Sequence, residues 1–138
     1  MDQKLIIFLK YPEKGKVKTR LARSIGDEQA ACIYKKLAED TVNSLRPIAG
    51  KAADIVIAFD PPDRETEIRK WMDGPFEFIS QGGGDLGERL SRVSHASFRD
   101  GAQRVVLIGS DCAELDVLTI SARFWRCRKR IRRCRRNL

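Results

Sequence analysis

The chain of 138 residues lacks the marks of a membrane or secreted protein. No uninterrupted apolar run approaches the roughly 18 residues that a membrane-spanning helix needs. The apolar run at residues 5–9 is too short for a secretory signal, and no small-residue cleavage site follows it. We therefore expect no membrane span and a cytoplasmic location.

Cysteine and histidine, the usual zinc ligands, are scarce, with four cysteines and one histidine in the chain. No two cysteines have the C-x-x-C spacing of a zinc site or a redox pair. The single histidine, His95, has no nucleophile motif nearby, so a surface or capping role is favoured over catalysis. The sequence thus predicts neither a zinc centre nor a disulfide framework.

Acidic residues are missing from residues 123–138, which carry nine Lys and Arg residues. The preceding part, residues 1–122, has 18 basic and 19 acidic residues, a net charge of −1 against +8 for the whole chain. The excess basic charge is therefore confined to a tail. The body of the chain lacks the general footprint of a nucleic-acid-binding protein.

Short apolar runs alternate with segments of helical periodicity along the chain. The predicted strands are residues 5–9, 54–59, 76–79 and 104–108, and the predicted helices are residues 27–45, 64–72 and 86–100. This alternation predicts a three-layer α/β/α fold with a mostly parallel sheet.

Apolar spacing and capping signals define the first and last of these helices. The first is expected to begin at a capping Asp27. Its residues at helical spacing are Ala30, Ile33, Tyr34, Leu37, Val42 and Leu45. The residues of the last helix expected to face inward are Leu86, Leu90, Val93 and Phe98.

The first predicted strand runs into a loop rich in cations. These cations are Lys10, Lys14, Lys16, Lys18 and Arg20. A buried strand fixes such a loop, Gly15 lets backbone approach a ligand, and the cations offset ligand charge. Since ligands of open α/β sheets bind at the carboxyl ends of strands, a phosphate-binding loop is one interpretation. A solvated loop is the other, because lysine is mostly exposed in proteins.

Two further loops follow predicted strands and belong to the same edge of a parallel sheet. One is the glycine-rich segment 81–87, which suits a turn whose backbone passes close to something. The other follows the fourth strand and contains Asp111. A carboxylate there is placed to hold Mg²⁺ or Mn²⁺, which prefer oxygen ligands. Capping of a following helix is the alternative role of Asp111.

Three sequence blocks together resemble one group of bacterial proteins. The blocks are KYPEKGKVKTRLA near the N-terminus, QGGGDLGERL in the middle and LIGSDC after the fourth strand. They are similar to those of GT-A-fold glycosyltransferases of the radical-SAM/selenoprotein-associated type. More distantly they resemble 2-phospho-lactate and molybdenum-cofactor guanylyltransferases. The resemblance implies the nucleotide-diphospho-sugar transferase fold.

The resemblance also implies roles for the matching positions. The implied nucleotide phosphate loop contains Lys10, Gly15, Lys18 and Arg20. The residues implied to lie near the base and ribose, or near the acceptor, are Gln81, Asp85, Leu86 and Gly87. Asp111 matches the acid that holds the divalent metal, Mg²⁺ or Mn²⁺.

The function implied is binding of a nucleotide or nucleotide-diphospho-sugar with a divalent metal, followed by glycosyl transfer. Nucleotidyl transfer of the guanylyltransferase kind is one alternative. A noncatalytic protein that binds nucleic acid through its basic tail is another.

The resemblance ends before the tail. Proteins of this fold continue well past the LIGSDC block, whereas residues 123–138 do not resemble the corresponding segment of the family. We expect residues 1–122 to be the N-terminal nucleotide-binding portion of a GT-A-like domain that lacks its C-terminal part. Residues 123–138 are then a tail not native to the fold, with a basic binding arm and an inert tail as alternatives. Weak or absent transferase activity is expected, and a homodimer could cover an unpaired sheet edge.

Overall fold

Four parallel strands form the centre of the computed structural model: β1 (Gln3–Lys10), β2 (Asp54–Asp60), β3 (Glu77–Ser80) and β4 (Arg104–Gly109). The structure describes residues 2–13 and 15–110, with the backbone alone at residues 19, 132 and 133. The spatial order is β3-β2-β1-β4, and β5 (Arg132–Arg133) pairs through its backbone with β4. The predicted parallel sheet is thus confirmed.

Helices fill the connections between these strands. They are α1 (Thr19–Ile25), α2 (Asp27–Leu45), α3 (Glu65–Trp71) and α4 (Leu86–Arg99), with short 3₁₀ turns at Arg46–Ile48 and Pro62–Arg64. Within the described residues no helix is both long enough and apolar enough to cross a membrane.

The sheet is buried on both faces, and its strands divide their side chains between two apolar clusters. Leu5, Ile7 and Leu9 of β1 point into a cluster that contains apolar side chains of α2 and α3. Ile6, on the opposite face, joins a cluster that contains Val93 of α4. This alternation explains why the strands have uninterrupted apolar runs, and it confirms the three-layer arrangement.

The direction of the chain across the sheet reverses at β1. From β1 the chain moves outward to β2 and β3, and then returns across the sheet to place β4 on the other side of β1. The crossovers run in opposite directions across the sheet, with α2 and α3 on one face and α4 on the other. Right-handed connections, the rule for parallel strands, lead to this arrangement. The carboxyl ends of β1 and β4 therefore flank a topological switch point, where open α/β sheets bind their ligands.

Three details of the helices differ from the prediction. Gly26, with φ of 93°, separates a short helix α1 from α2, so Gly26 is the N-cap and Asp27 the first helical residue. Asp27 therefore acts through its charge in the first turn and not as a cap. Leu86 and Ile33 are 48% and 39% exposed, although helical spacing placed them with buried residues. Helical periodicity identifies a face, but it does not show how far a partner layer extends.

Ile57 and Ile33 differ strongly in burial, so removal of one methylene group from each should lower the free energy of unfolding by unequal amounts. Ile57 of β2 is fully buried, whereas Ile33 lies on the outer side of α2. We expect Ile57→Val to lower the free energy of unfolding by about 0.5–1.5 kcal/mol. Ile33→Val should change it by less than about 0.5 kcal/mol. Urea unfolding measures both, and equal effects would contradict the burial described above.

Candidate functional site

The loops that follow the four parallel strands begin at one edge of the sheet. Lys10 is in register with Asp60, Phe59 with Ser80, and Phe8 with Gly109. The backbone N–H of Tyr11 donates to the carbonyl of Asp60 over 2.9 Å, which carries the β1–β2 pairing one step into the loop. The loops after β1 and β3 are therefore brought together at this edge, as predicted from parallel strands.

The basic loop after β1 is anchored at both ends. Lys10 is exposed at the end of β1, and Val17, only 3% exposed, packs into the core cluster beneath α2. Gly15 has φ of 78°, a conformation that glycine adopts without strain. Lys18 also lies in the left-handed region, with φ of 46°, and directly precedes α1. Such a conformation is unfavourable for a residue with a Cβ and is a frequent feature of ligand-binding loops.

An acidic residue inside this loop pairs with two cations. Glu13 lies 3.0 Å from Lys16 Nζ and accepts a hydrogen bond of 2.8 Å from Nε of Arg64, which follows β2. The Lys16 ammonium first, and the Arg64 guanidinium second, lower the pKa of the Glu13 carboxyl below its usual value. The Glu13 carboxylate, in turn, raises the pKa of Arg64. Glu13 is therefore ionised at neutral pH.

Gln81 joins the ends of two strands. Its side-chain nitrogen donates to the carbonyls of Ala58 and Leu9, over 2.9 and 3.2 Å, and the residue is only 3% exposed. The side-chain oxygen of Gln81 accepts from Arg89 over 3.3 Å. In the described structure this predicted ligand-binding residue braces the ends of β1 and β2 from within.

Two arginines of α4 hold the glycine-rich loop. Arg92 donates to the carbonyls of Gln81 and Gly83, over 2.7 and 2.9 Å. Arg89 donates to the carbonyl of Gly84 over 3.0 Å and lies 3.4 Å from the carboxylate of Asp60. Helix α4 therefore fixes the loop after β3 and ties it to the end of β2.

The three consecutive glycines of this loop are not equivalent. Gly82 and Gly84 have φ of 76° and 96°, and a Cβ at either position would meet Arg92 or Glu88 of α4. Gly83 has no positive φ, and a Cβ there would meet nothing within 4 Å. The close approach predicted for this turn is thus made, at Gly82 and Gly84, to side chains of the chain itself.

The other residues predicted in this loop lie at the start of α4. Asp85 is the N-cap, and its carboxylate accepts a hydrogen bond of 2.8 Å from the backbone N–H of Glu88. Leu86 and Gly87 are exposed in the first turn. All three lie beside the glycine-rich loop, so the structure brings together the group predicted near the base, ribose or acceptor.

A buried hydroxyl pair at the switch point was not predicted from the sequence. The Tyr34 hydroxyl of α2 lies 2.7 Å from Ser110 Oγ and accepts a hydrogen bond of 2.8 Å from the backbone N–H of Lys10. It thereby links the end of β1 to the residue that follows β4. The available signal was a tyrosine at a buried helical position, since a buried tyrosine hydroxyl needs a hydrogen-bond partner.

The predicted pairing of Arg20 with Asp111 involves a residue outside the described part of the chain. Arg20 is exposed in the first turn of α1, and Asp111 lies outside the described residues. Across residues 2–13 and 15–110, no three acidic, histidine or cysteine side chains are grouped closely enough to hold a metal ion. The predicted convergence of Arg20 and Asp111 on one ligand stays a prediction.

A doubly wound sheet with a basic loop at its switch point defines the class of protein, an open α/β fold, a class whose members bind ligands at the strand ends. The chain belongs to a family described as "Uncharacterized protein conserved in bacteria (DUF2064)", whose family model matches residues 45–129. Comparison with curated proteins gives no match.

A solved structure gives a longer match. The chain is similar to a protein from Desulfovibrio desulfuricans G20 described as a "putative nucleotide-diphospho-sugar transferase", with 34% identity and a TM-score of 0.80. The match covers 89% of this chain and 53% of that protein, so the chain spans about half the length of the neighbour. It confirms the nucleotide-diphospho-sugar transferase fold.

The Tyr34 hydroxyl should contribute measurably to stability because two buried groups depend on it. We expect Tyr34→Phe to lower the free energy of unfolding by about 1–3 kcal/mol, as Ser110 Oγ and the Lys10 N–H lose a partner. Tyr11→Phe is the control. It also removes a tyrosine hydroxyl, but the described contact of Tyr11 with Arg64 is through the ring, which phenylalanine keeps. Urea unfolding should show a smaller loss for Tyr11→Phe, and the reverse order would contradict the described hydrogen bonds.

The unequal glycines give a second stability test. Gly84→Ala should destabilise the fold by about 1 kcal/mol or more, because alanine is strained at positive φ. Gly83→Ala should leave stability unchanged or raise it by about 0.4–1 kcal/mol through the unfolded chain. Thermal and urea unfolding of the two variants check this. A loss at Gly83 as large as that at Gly84 would show that the loop has another conformation.

Proposed function

We propose that this chain is the nucleotide-binding portion of a transferase that takes a nucleotide-diphospho-sugar as donor and transfers its glycosyl group. The observation that carries the proposal is the basic loop, anchored after β1, at the switch point of a nucleotide-diphospho-sugar transferase fold. The solved neighbour, 34% identical, is described as such a transferase, and its description supports the donor class.

The proposed phosphate site is the loop after β1 and the start of α1. Lys10, Lys18 and Arg20 supply positive charge, and Gly15 provides the conformation that the loop requires. Cations held near a diphosphate leaving group favour breaking of the glycosidic bond, since negative charge develops on the departing oxygen. The role proposed for these residues is therefore to bind the donor and to stabilise that charge.

The proposed site for the nucleoside or the acceptor is the other half of the edge, beside the loop after β3. Asp85, Leu86 and Gly87 lie at its rim, and Gln81 supports it from within. Arg89 and Arg92 keep this loop in one shape, so the chain would not have to order it when a ligand binds.

A divalent cation, Mg²⁺ or Mn²⁺, is part of the proposal. The described residues contain no group of three metal-binding side chains. The proposed ion is held by one carboxylate together with phosphate oxygens and water, which is usual for Mg²⁺. Asp111, one residue beyond Ser110, is the proposed carboxylate. When bound, the cation would supply charge neutralisation for the diphosphate.

Nucleotidyl transfer is a second reaction that the same phosphate loop could serve, and the description of the solved neighbour favours glycosyl transfer. The other predictions concern binding partners and location. Nucleic-acid binding through residues 123–138, a homodimer and a cytoplasmic location stay predictions.

Binding of nucleotides can be tested with two arginines on α1. The ligands are UDP-glucose and GTP, each with Mn²⁺, measured by calorimetry and thermal shift. We expect Arg20→Ala to weaken binding by about 10-fold or more, the loss expected for a charge-assisted hydrogen bond. Arg23→Ala removes the same charge from the last turn of α1 and should leave affinity unchanged.

Asp111→Asn completes this test. It should abolish the increase in thermal stability that Mn²⁺ adds to nucleotide binding, while the unliganded protein melts as before. Absence of any nucleotide binding, or equal losses in Arg20→Ala and Arg23→Ala, would contradict the proposed function.

A further inference from the structure

A carboxylate lies between two cations at the rim of the basic loop. Glu13 Oε2 is 3.0 Å from Lys16 Nζ, and Glu13 Oε1 accepts a hydrogen bond of 2.8 Å from Arg64 Nε. Lys16 belongs to the loop after β1, whereas Arg64 belongs to the 3₁₀ turn after β2. The two strand ends are adjacent, so the two cations belong to one charged cluster, Glu13–Lys16–Arg64.

Arg64 has contacts that do not depend on Glu13. Its guanidinium lies over the ring of Tyr11, 5.1 Å from the ring centroid. Its NH1 also lies 3.7 Å from a carboxylate oxygen of Glu67, one turn further along the chain. If the Glu13 carboxylate moves away, these contacts still hold the guanidinium at the same rim.

Exposure within the cluster is uneven. The side chain of Glu13 is 18% exposed, whereas those of Arg64 and Lys16 are 40% and 72% exposed. Both cations are therefore accessible to an anion in solution, whereas Glu13 is the more shielded member of the cluster. A phosphate group has more negative charge than a carboxylate and more acceptor oxygens, and guanidinium groups bind it with two parallel hydrogen bonds.

We infer that Lys16 and Arg64 are further phosphate-binding residues of the site, and that the Glu13 carboxylate occupies their phosphate position until a diphosphate displaces it. This inference rests on the proposed function, because it adds two residues to the proposed binding site for the donor's diphosphate. It adds Arg64, which lies outside the three sequence blocks, and it gives Glu13 a competing role.

A purely structural role of Glu13 and a competing role predict opposite changes in ligand affinity when the Glu13 charge is removed. If Glu13 only holds the loop against Arg64, its removal loosens the loop and weakens ligand binding. If Glu13 competes with phosphate, its removal strengthens ligand binding. Glu13→Gln suits the comparison because glutamine keeps the shape and can still accept a hydrogen bond from Arg64, but lacks the charge.

The experiment measures the affinity of the full chain for pyrophosphate and for UDP-glucose with Mn²⁺, by calorimetry at low salt. We expect Glu13→Gln to tighten both affinities by about 2- to 5-fold, the strength of a partly exposed ion pair. Glu65→Gln is the matched control, since Glu65 pairs with Arg69 on α3 and should not affect either affinity.

Substitutions of Arg64 are tested in the unmodified chain and in the Glu13→Gln variant. Arg64→Ala should weaken pyrophosphate binding by about 10-fold, and by more in the Glu13→Gln background, where no internal anion competes. Arg64→Lys should recover part of the affinity because it keeps the charge without the paired donors. Thermal unfolding of each variant establishes that the compared proteins are folded.

The outcomes separate this inference from the proposed function. Nucleotide binding that depends on Arg20, combined with weaker or unchanged binding in Glu13→Gln, would overturn the inference and leave the proposed function standing. Pyrophosphate binding that tightens in Glu13→Gln, without any binding of nucleotides, would support the inference and overturn the proposed function. Absence of both kinds of binding in every variant would overturn both.

Discussion

The pairing of β1 with both of its neighbours is the constraint on which the rest of the structure depends. β1 is hydrogen-bonded to β2 on one side and to β4 on the other, and four of its side chains are fully buried. A strand in this position cannot shift by one residue without exchanging its two apolar faces. The register therefore fixes where the basic loop begins, and it places Lys10 beside Asp60 and close to Ser110.

The sheet and most helices follow from local features of the sequence. Strands that are buried on both faces need continuous apolar runs, and residues 5–9, 55–59 and 105–108 supplied them. The order of the strands in space followed only in part, because alternation of elements predicts parallel pairing but not which strand lies beside β1. Helix α1 was missed, because its start depends on the backbone of Lys18 and its end on Gly26, and neither conformation is marked by an apolar pattern.

The sequence predicted the loops of the candidate site, but it did not predict the contacts that shape those loops. Sequence blocks indicated the residues at the strand ends, but Tyr34 contacts Ser110 across 76 positions of sequence, and Gln81 reaches Leu9 across 72. Such contacts arise from tertiary packing, which a local pattern does not contain. The glycine-rich loop illustrates the difference: its glycines predicted a close approach, and the structure identifies Arg92 and Glu88 as the groups approached at Gly82 and Gly84.

The carboxyl edge of the sheet consists of two halves with different polar chemistry. In the half formed by β2 and β3, Asp60 forms an ion pair with Arg89. Gln81, Arg89 and Arg92 hydrogen-bond to one another or to backbone carbonyls, so their charges and dipoles are used within the chain. In the half formed by β1, Lys10, Lys16 and Arg20 are exposed, and Glu13 pairs with Lys16. Transfer of an anion from water to the first half would break existing hydrogen bonds, whereas the second half already holds a carboxylate between two cations. The distribution of satisfied and exposed charge, more than the number of basic residues, thus favours the loop after β1 as the place where a ligand's phosphates bind.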